Sequence, residues 1–382
     1  MRILTESGGT ESPASALRRA PRYVLWVLFV VVPAMTLFYV SAHIVQGGTQ
    51  VPDFSYVFYP SAKALLQGDD FFPTGAFHPE NGYILEYVYP PLAAIVSIPF
   101  TVFSVDVAEV LFLVLLALAV PATLRLLGVR DWRCYGMAFL WAPVLHAILT
   151  GNITILIGLA AALVWRFRDR PLAVGVSLGV SLAAKLYLWP LMPWLAATRR
   201  LRAAVWSFAT GTAVFFASWA VIGFRGFSDY PGLLQRLSDA LDSRSYTLYA
   251  LGLDLGLPSS LARLLWIGLA VSLLAATVVV GRRGDERRAF VLALAAALAC
   301  SPIVWLHYFA LLLVAVAVAE PQLGPAWFPC ALMSLFVSTG DFNGSTFQNA
   351  AVLATAAVTV ALALRPTSVL RMPRTASAGT PP

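Results

Sequence analysis

The chain has 382 residues, of which 59% are hydrophobic and 12% charged, with a formal net charge of +7. Soluble domains carry about 25% charged residues, so a soluble enzyme is excluded. Continuous apolar runs, in place of alternating ten-residue segments, exclude a transmembrane β-barrel and leave an all-α, polytopic helical bundle. The positive charge does not mark a nucleic-acid binder, because it is divided among short clusters lying between apolar runs.

Residues 1–17 lack the apolar core of a cleavable signal, so the first helix is expected to stay as an anchor, and 1–22 read as a disordered cytoplasmic N-terminus. An integral domain, 23–364, follows, and a disordered cytoplasmic tail, 365–382. Basic clusters recur at 18–22, 125–133, 166–170, 199–202, 282–288 and 365–374. The positive-inside rule places such clusters in the cytoplasm, so each stretch between neighbouring clusters crosses the membrane twice. This gives about 12 spans, with a range of 10–13: 23–45, 106–124, 134–149, 152–165, 171–185, 186–198, 203–223, 259–281, 289–302, 303–319, 325–339 and 347–364. The apolar run 90–104 exceeds the count and is read as a re-entrant or surface-lying helix. The large non-apolar loops, 46–89 and 224–258, then share the extracytoplasmic face.

In the first of these loops a helix is expected over 55–67, with Tyr56, Tyr59, Lys63 and Leu66 at three- and four-residue spacing and Gly68 as its stop. Its aromatics and single lysine suit a surface-lying helix at the lipid–water interface. Asp53, just ahead of it, is either a general base raised by partial desolvation or an N-cap. A second surface helix is expected around 231–242. Asn152 in "TGNITIL" stands at a helix start, where capping is the plain explanation.

Lys185 interrupts the apolar "VGVSLGVSLAAKLYLWPLMPW" and either faces a cavity or snorkels to the interface. In "CSPIVWLHYF" (300–309), Pro302 breaks a membrane helix ahead of Trp305 and His307. His307 reads as a phosphate contact or as part of an aromatic belt. Arg244 in "DSRSYTLYAL" reads as a phosphate ligand or an ordinary loop arginine. His43, His78 and His146 are scattered without metal-ligand spacing, and Cys134, Cys300 and Cys330 read as small core residues. Asp69, Asp70, Glu80 and Glu86 form either a divalent-ion site or a solvated face.

Five stretches resemble glycosyltransferase family 87, within the GT-C superfamily of polyprenyl-phosphate-sugar-dependent membrane transferases. They are "DFSYVFYPSAKALLQG" (53–68), "YVYPPLAAIVSIPF" (87–100), "GNITILIGLAAALVWR" (151–166), "GVSLGVSLAAKLYLWPLMPWLAATRRLRAA" (175–204) and "SPIVWLHYFALLL" (301–313). The resemblance implies a GT-C bundle whose first extracytoplasmic loop carries the base, here Asp53. It also implies that Lys185, following "GxxLGxxxxxK", neutralises donor phosphate together with His307 and Arg244. Tyr56, Tyr59, Tyr89, Asn152 and Trp305 would contact substrate. The family's paired histidines are represented by His307 followed by Tyr308, and its Gly-Gln-x-Asn by Gly151-Asn152.

The expected activity is inverting transfer of mannose from polyprenyl-phosphate mannose to a lipid-linked or polysaccharide acceptor, on the extracytoplasmic face of the cell membrane. Neither metal nor cofactor is expected, and the partners are the lipid-linked donor, the acceptor and membrane lipids. Decaprenyl-phosphate arabinose is the alternative donor. A lipid-linked sugar flippase is the alternative from another class, although no internal repeat of the kind found in transporters is visible.

Overall fold

The computed structural model describes residues 22–45, 52–75, 77, 86–337 and 342–366. The expected disordered termini fall almost wholly outside these residues, as do His78, Glu80, Asp341 and the side chain of His43. Every regular element among the described residues is helical.

Among the described residues, five helices are long and apolar enough to cross a membrane: Arg22–Tyr39, Val105–Leu126, Leu201–Val221, Ser259–Arg282 and Thr346–Ala363. All five coincide with spans expected from the basic clusters. The other seven expected spans are shorter or broken helices, and proline accounts for several of the breaks. Segment 134–149 divides into Trp132–Ala138 and Ala142–Thr150, with Pro143 in the first turn of the second. Segment 186–198 divides into a 3-10 turn, Leu186–Leu188, and Leu191–Ala197, with Pro190 between them. Residues 325–335 form three short pieces, two of them opened by Pro325 and Pro329.

Of these short helices, Glu286–Ala299 and Leu306–Ala319 lie inside the protein, whereas Pro171–Ala184 and the pieces of 325–335 keep exposed apolar side chains. Glu286–Ala299 has 14 residues, about 21 Å at 1.5 Å per residue against a hydrocarbon core of ~30 Å. Yet every residue from Ala289 to Leu298 is buried. By contrast, only 17% of the most apolar window of Ser259–Arg282 is buried, and 22% of that in Leu201–Val221. Those two long helices thus turn their sides outward, Val105–Leu126 is half buried, and Glu286–Ala299 ends among neighbours, where protein surrounds its free backbone groups.

The helices Pro171–Ala184 and Leu201–Val221 approach each other through glycine. A Cβ added at Gly179 would lie 2.7 Å from the Gly211 nitrogen and 2.8 Å from the Ser207 carbonyl oxygen. One added at Gly175 would lie 2.6 Å from the Trp206 Cβ. Small residues four apart permit this backbone contact. Gly179→Val is therefore expected to destabilise the fold by about 1–3 kcal/mol through overpacking. Thermal unfolding in detergent checks this, and an unchanged midpoint would refute the contact.

The first-loop helix begins as a π-helix, Asp53–Phe58, and continues as Tyr59–Gln67. Gly68, at φ 79°, closes it, and the Gly68 N–H donates to the Leu65 carbonyl. Phe54 stacks on Phe112 of Val105–Leu126 at 4.5 Å between ring centroids. The Ser55 hydroxyl donates to buried Glu109 of the same helix at 2.5 Å. The Tyr59 hydroxyl donates to the Phe103 carbonyl at 2.8 Å. This segment is consequently docked along one side, with Tyr56, Lys63 and Leu66 exposed and Tyr59 buried. The helix expected around 231–242 spans Tyr230–Leu241. The 90–104 run is a short helix, Pro91–Ser97, followed by a 3-10 turn, Ile98–Val102.

Candidate active site

A cavity of about 980 Å³ is lined by Asp53, Tyr89, Asn152, Lys185, Trp305 and His307, together with Glu86 and His146. Residues from the first loop, the Gly151 turn, the end of Pro171–Ala184 and the Pro302 break therefore meet at one place. Tyr56, Tyr59 and Arg244 do not line it. Tyr56 is exposed on the outer side of its helix, and the Tyr59 hydroxyl is committed to Phe103. Arg244 is exposed, with its guanidinium 5.7 Å from the Phe342 ring, and Phe342 in turn stacks on Trp305 at 5.3 Å. The arginine thus lies behind the cavity wall rather than in it.

Asp53 does not cap its own helix. Pro52 occupies the N-cap with no side-chain hydrogen bond, and the Asp53 carboxylate instead accepts from the Asn152 side-chain amide. The turn that presents Asn152 depends on Gly151, which sits at φ 64° in the left-handed region that favours glycine. The Asn152 side-chain oxygen accepts from the Thr154 N–H at 2.9 Å and from its hydroxyl at 2.6 Å. Those contacts fix the amide orientation, so its NH2 group must face outward. It reaches Asp53 and the Tyr89 hydroxyl, the latter at 3.3 Å. One asparagine therefore accepts from the N–H that opens a helix and donates to the carboxylate. Burial pushes the Asp53 carboxyl up to about 6, against the lowering effects of the Asn152 hydrogen bond and of the positive charge on Lys185.

Lys185 does not snorkel. The helix stops at Ala184, Lys185 takes an extended backbone conformation, and a 3-10 turn follows. Its ammonium group is buried without a hydrogen-bond partner. Three rings surround it: Tyr308 at 3.9 Å, Tyr89 at 5.3 Å and Tyr187 at 5.9 Å from the ammonium nitrogen to the ring centroid. Cation–π contacts of this kind hold a desolvated ammonium in place and leave its N–H groups open to an anion. The Tyr308 that follows His307 is thus one wall of the lysine's cage.

His307 is 5% exposed, and neither ring nitrogen has a partner. The ring of His146 lies against it. Sequence spacing had given His146 no role, since it sits within the apolar helix "APVLHAILT" and its neighbour comes from a distant segment. Glu86, one of the first-loop acids, has a carboxylate oxygen that is buried without a hydrogen-bond partner. Of the other loop acids, Asp70 pairs with Arg225 at 3.2 Å.

One side of the cavity is apolar and outward-facing. Leu186, 70% exposed, and Phe208, 67% exposed, line it and also belong to the outer surface of the protein. A cavity that gathers Asp53, Lys185 and His307 beside an apolar flank, set among membrane-length helices, marks a membrane protein. Comparison with known proteins gives the family. The pattern of glycosyltransferase family 87 matches residues 87–307, more than half of the chain, and the protein belongs to that family of membrane glycosyltransferases. It is also 26% identical over 339 residues to the polyprenol-phosphate-mannose-dependent alpha-(1-2)-phosphatidylinositol mannoside mannosyltransferase of Mycobacterium tuberculosis. That alignment covers 78% of this chain and 77% of the relative. No solved structure matches the chain.

Proposed function

We propose that this protein transfers a mannosyl residue from polyprenyl-phosphate mannose to a lipid- or glycan-linked acceptor. The reaction takes place on the extracytoplasmic face of a bundle with about twelve crossings, the short helices completing them between longer ones. The observation that carries this reading is the placement of Asp53 and an unpartnered Lys185 on one cavity with an apolar, outward-facing flank. A carboxylate and an ammonium so placed can act on opposite ends of one displacement. The name of the mycobacterial relative supports mannose as the sugar and a glycolipid as the acceptor.

In the proposed reaction the acceptor hydroxyl oxygen attacks C1 of the sugar and its proton passes to Asp53. The C1–O bond to phosphate breaks, and its electron pair stays on the phosphate oxygen. Attack and departure on opposite faces invert the centre, so a β-linked donor gives an α-linked product. The phosphate changes from a diester with one negative charge to a monoester approaching two. Lys185 meets that growing charge in a partly dry site, where fixed charges act most strongly. His307 supplies a hydrogen bond from the same wall, while Tyr89, Asn152 and Trp305 border the sugars.

The base must be ionised to accept the proton. With the Asp53 carboxyl at about 6, kcat/KM is expected to be level above that pH and to fall about tenfold per unit below it. A profile that stays flat through and below this value would count against Asp53 as the base. The donor sugar is tested by giving the purified protein in liposomes each labelled lipid separately with a mannosyl lipid acceptor. Transfer from polyprenyl-phosphate mannose is expected. Transfer only from decaprenyl-phosphate arabinose would reassign the sugar, and bilayer crossing of the lipid without a glycosidic product would make the protein a flippase.

A further inference from the structure

His146 and His307 come from different helical segments, Ala142–Thr150 and Leu306–Leu311. Their rings lie nearly parallel, 12° apart, with centroids separated by 5.5 Å. Both line the cavity. Both nitrogens of His307 and Nδ1 of His146 are buried without a hydrogen-bond partner. Buried polar atoms are nearly always paired, so three such nitrogens on one stack point to a ligand. The ligand's charge follows from the neighbours. Two imidazoles in contact, on a cavity that also holds the Lys185 ammonium, cannot all be cationic. Whatever the charge of each ring, it offers at least one N–H.

We propose that the His146–His307 stack and Lys185 together form an anion seat for the phosphate of a lipid-linked phosphate, with His146 a catalytic residue donating to a phosphate oxygen. This deepens the transferase reading and rests on it for the identity of the lipid. A phosphate with several free oxygens can accept from both rings and from the ammonium at once, which a carboxylate with two oxygens does less completely. The seat suits the monoester left after transfer better than the diester before it, because the monoester has one more free oxygen and more charge. In this chain the second histidine is supplied across space by His146, while the position after His307 is given to the tyrosine that cages Lys185.

The test measures binding of a short-chain prenyl phosphate to the purified protein by thermal stabilisation, beside the matching prenyl alcohol and inorganic phosphate. His146→Phe keeps a stacked ring and removes both nitrogens. It is expected to weaken prenyl phosphate binding about 10- to 100-fold, the value of one hydrogen bond to a charged group, and to leave the alcohol unchanged. His146→Gln, which restores an N–H, should recover part of the loss. If His146→Phe is not recovered folded, His146→Gln and His146→Leu are compared, and the larger loss is expected in the leucine variant. Wild-type affinity in the phenylalanine or leucine variant would overturn the proposal. Inorganic phosphate binding as tightly as the prenyl phosphate would overturn the assignment to a lipid. Histidine-dependent binding in a protein that transfers no sugar would remove the transferase reading and leave the seat standing, whereas sugar transfer without histidine dependence would remove the seat alone.

Discussion

Asp53→Asn is expected to lower turnover about 100- to 10,000-fold, the range lost when a positioned general base is removed. The protein itself should persist. The new amide keeps an oxygen in place of the carboxylate oxygen that accepts from Asn152, and the docking of the segment through Phe54, Ser55 and Tyr59 does not involve position 53. The measurement is transfer by purified variant and wild type at equal concentration, with thermal midpoints recorded for both. Activity within tenfold of wild type at an unchanged midpoint would remove Asp53 as the base.

Lys185→Ala is expected to cost about 100- to 1,000-fold in turnover, the usual effect of deleting one group that stabilises developing charge. The effect should fall more on kcat than on the donor KM, because the phosphate charge rises as the bond breaks. Lys185→Arg should restore only part of the loss. Three rings within 6 Å fit a compact ammonium, and a planar guanidinium cannot occupy the same cage without moving them. Removal of the unpartnered ammonium should not unfold the protein, since nothing else depends on it for a hydrogen bond. Near-wild-type turnover in the alanine variant would mean that the ammonium carries no phosphate charge.

Much of the cavity was legible in the sequence where a polar group stood out against an apolar background. Lys185 interrupts a run of apolar residues, and such a residue is costly unless it faces a ligand or a cavity. Asn152 was legible as a residue of a helix start; the N-cap itself is Ile153, and Asn152 accepts from the first helical N–H, that of Thr154, while its contact with Asp53 joins segments far apart in the chain. The same limit hid His146, whose neighbour His307 is distant in sequence. Glu109 was hidden differently. It lies within an expected span, three residues after Asp106, where a carboxyl is itself a signal, and it anchors Ser55 two residues from Asp53. Tyr59 shows the reverse case. Helical spacing placed it with Tyr56 and Lys63, but the π-helical start and the docking on Phe103 bury it.

The long helices were legible because continuous apolar length is a one-dimensional property. Seven other segments were expected as spans from charge placement, which records the side on which loops lie rather than the length of any helix. Prolines at 143, 190, 325 and 329 mark where several of those segments break. The pieces pack on segments distant in the chain, as Trp141 of one break does by donating to the Trp327 carbonyl of another, a contact local periodicity does not encode.

The most direct measurement is the stoichiometry and stereochemistry of a single reaction. Purified protein in liposomes is given β-linked polyprenyl-phosphate mannose and a mannosyl lipid acceptor, and the product's anomeric configuration is read by NMR. One α-linked mannosyl product for each polyprenyl phosphate released is expected. A β-linked product, or release of polyprenyl phosphate without a new glycosidic bond, would contradict the single displacement assigned to Asp53 and Lys185.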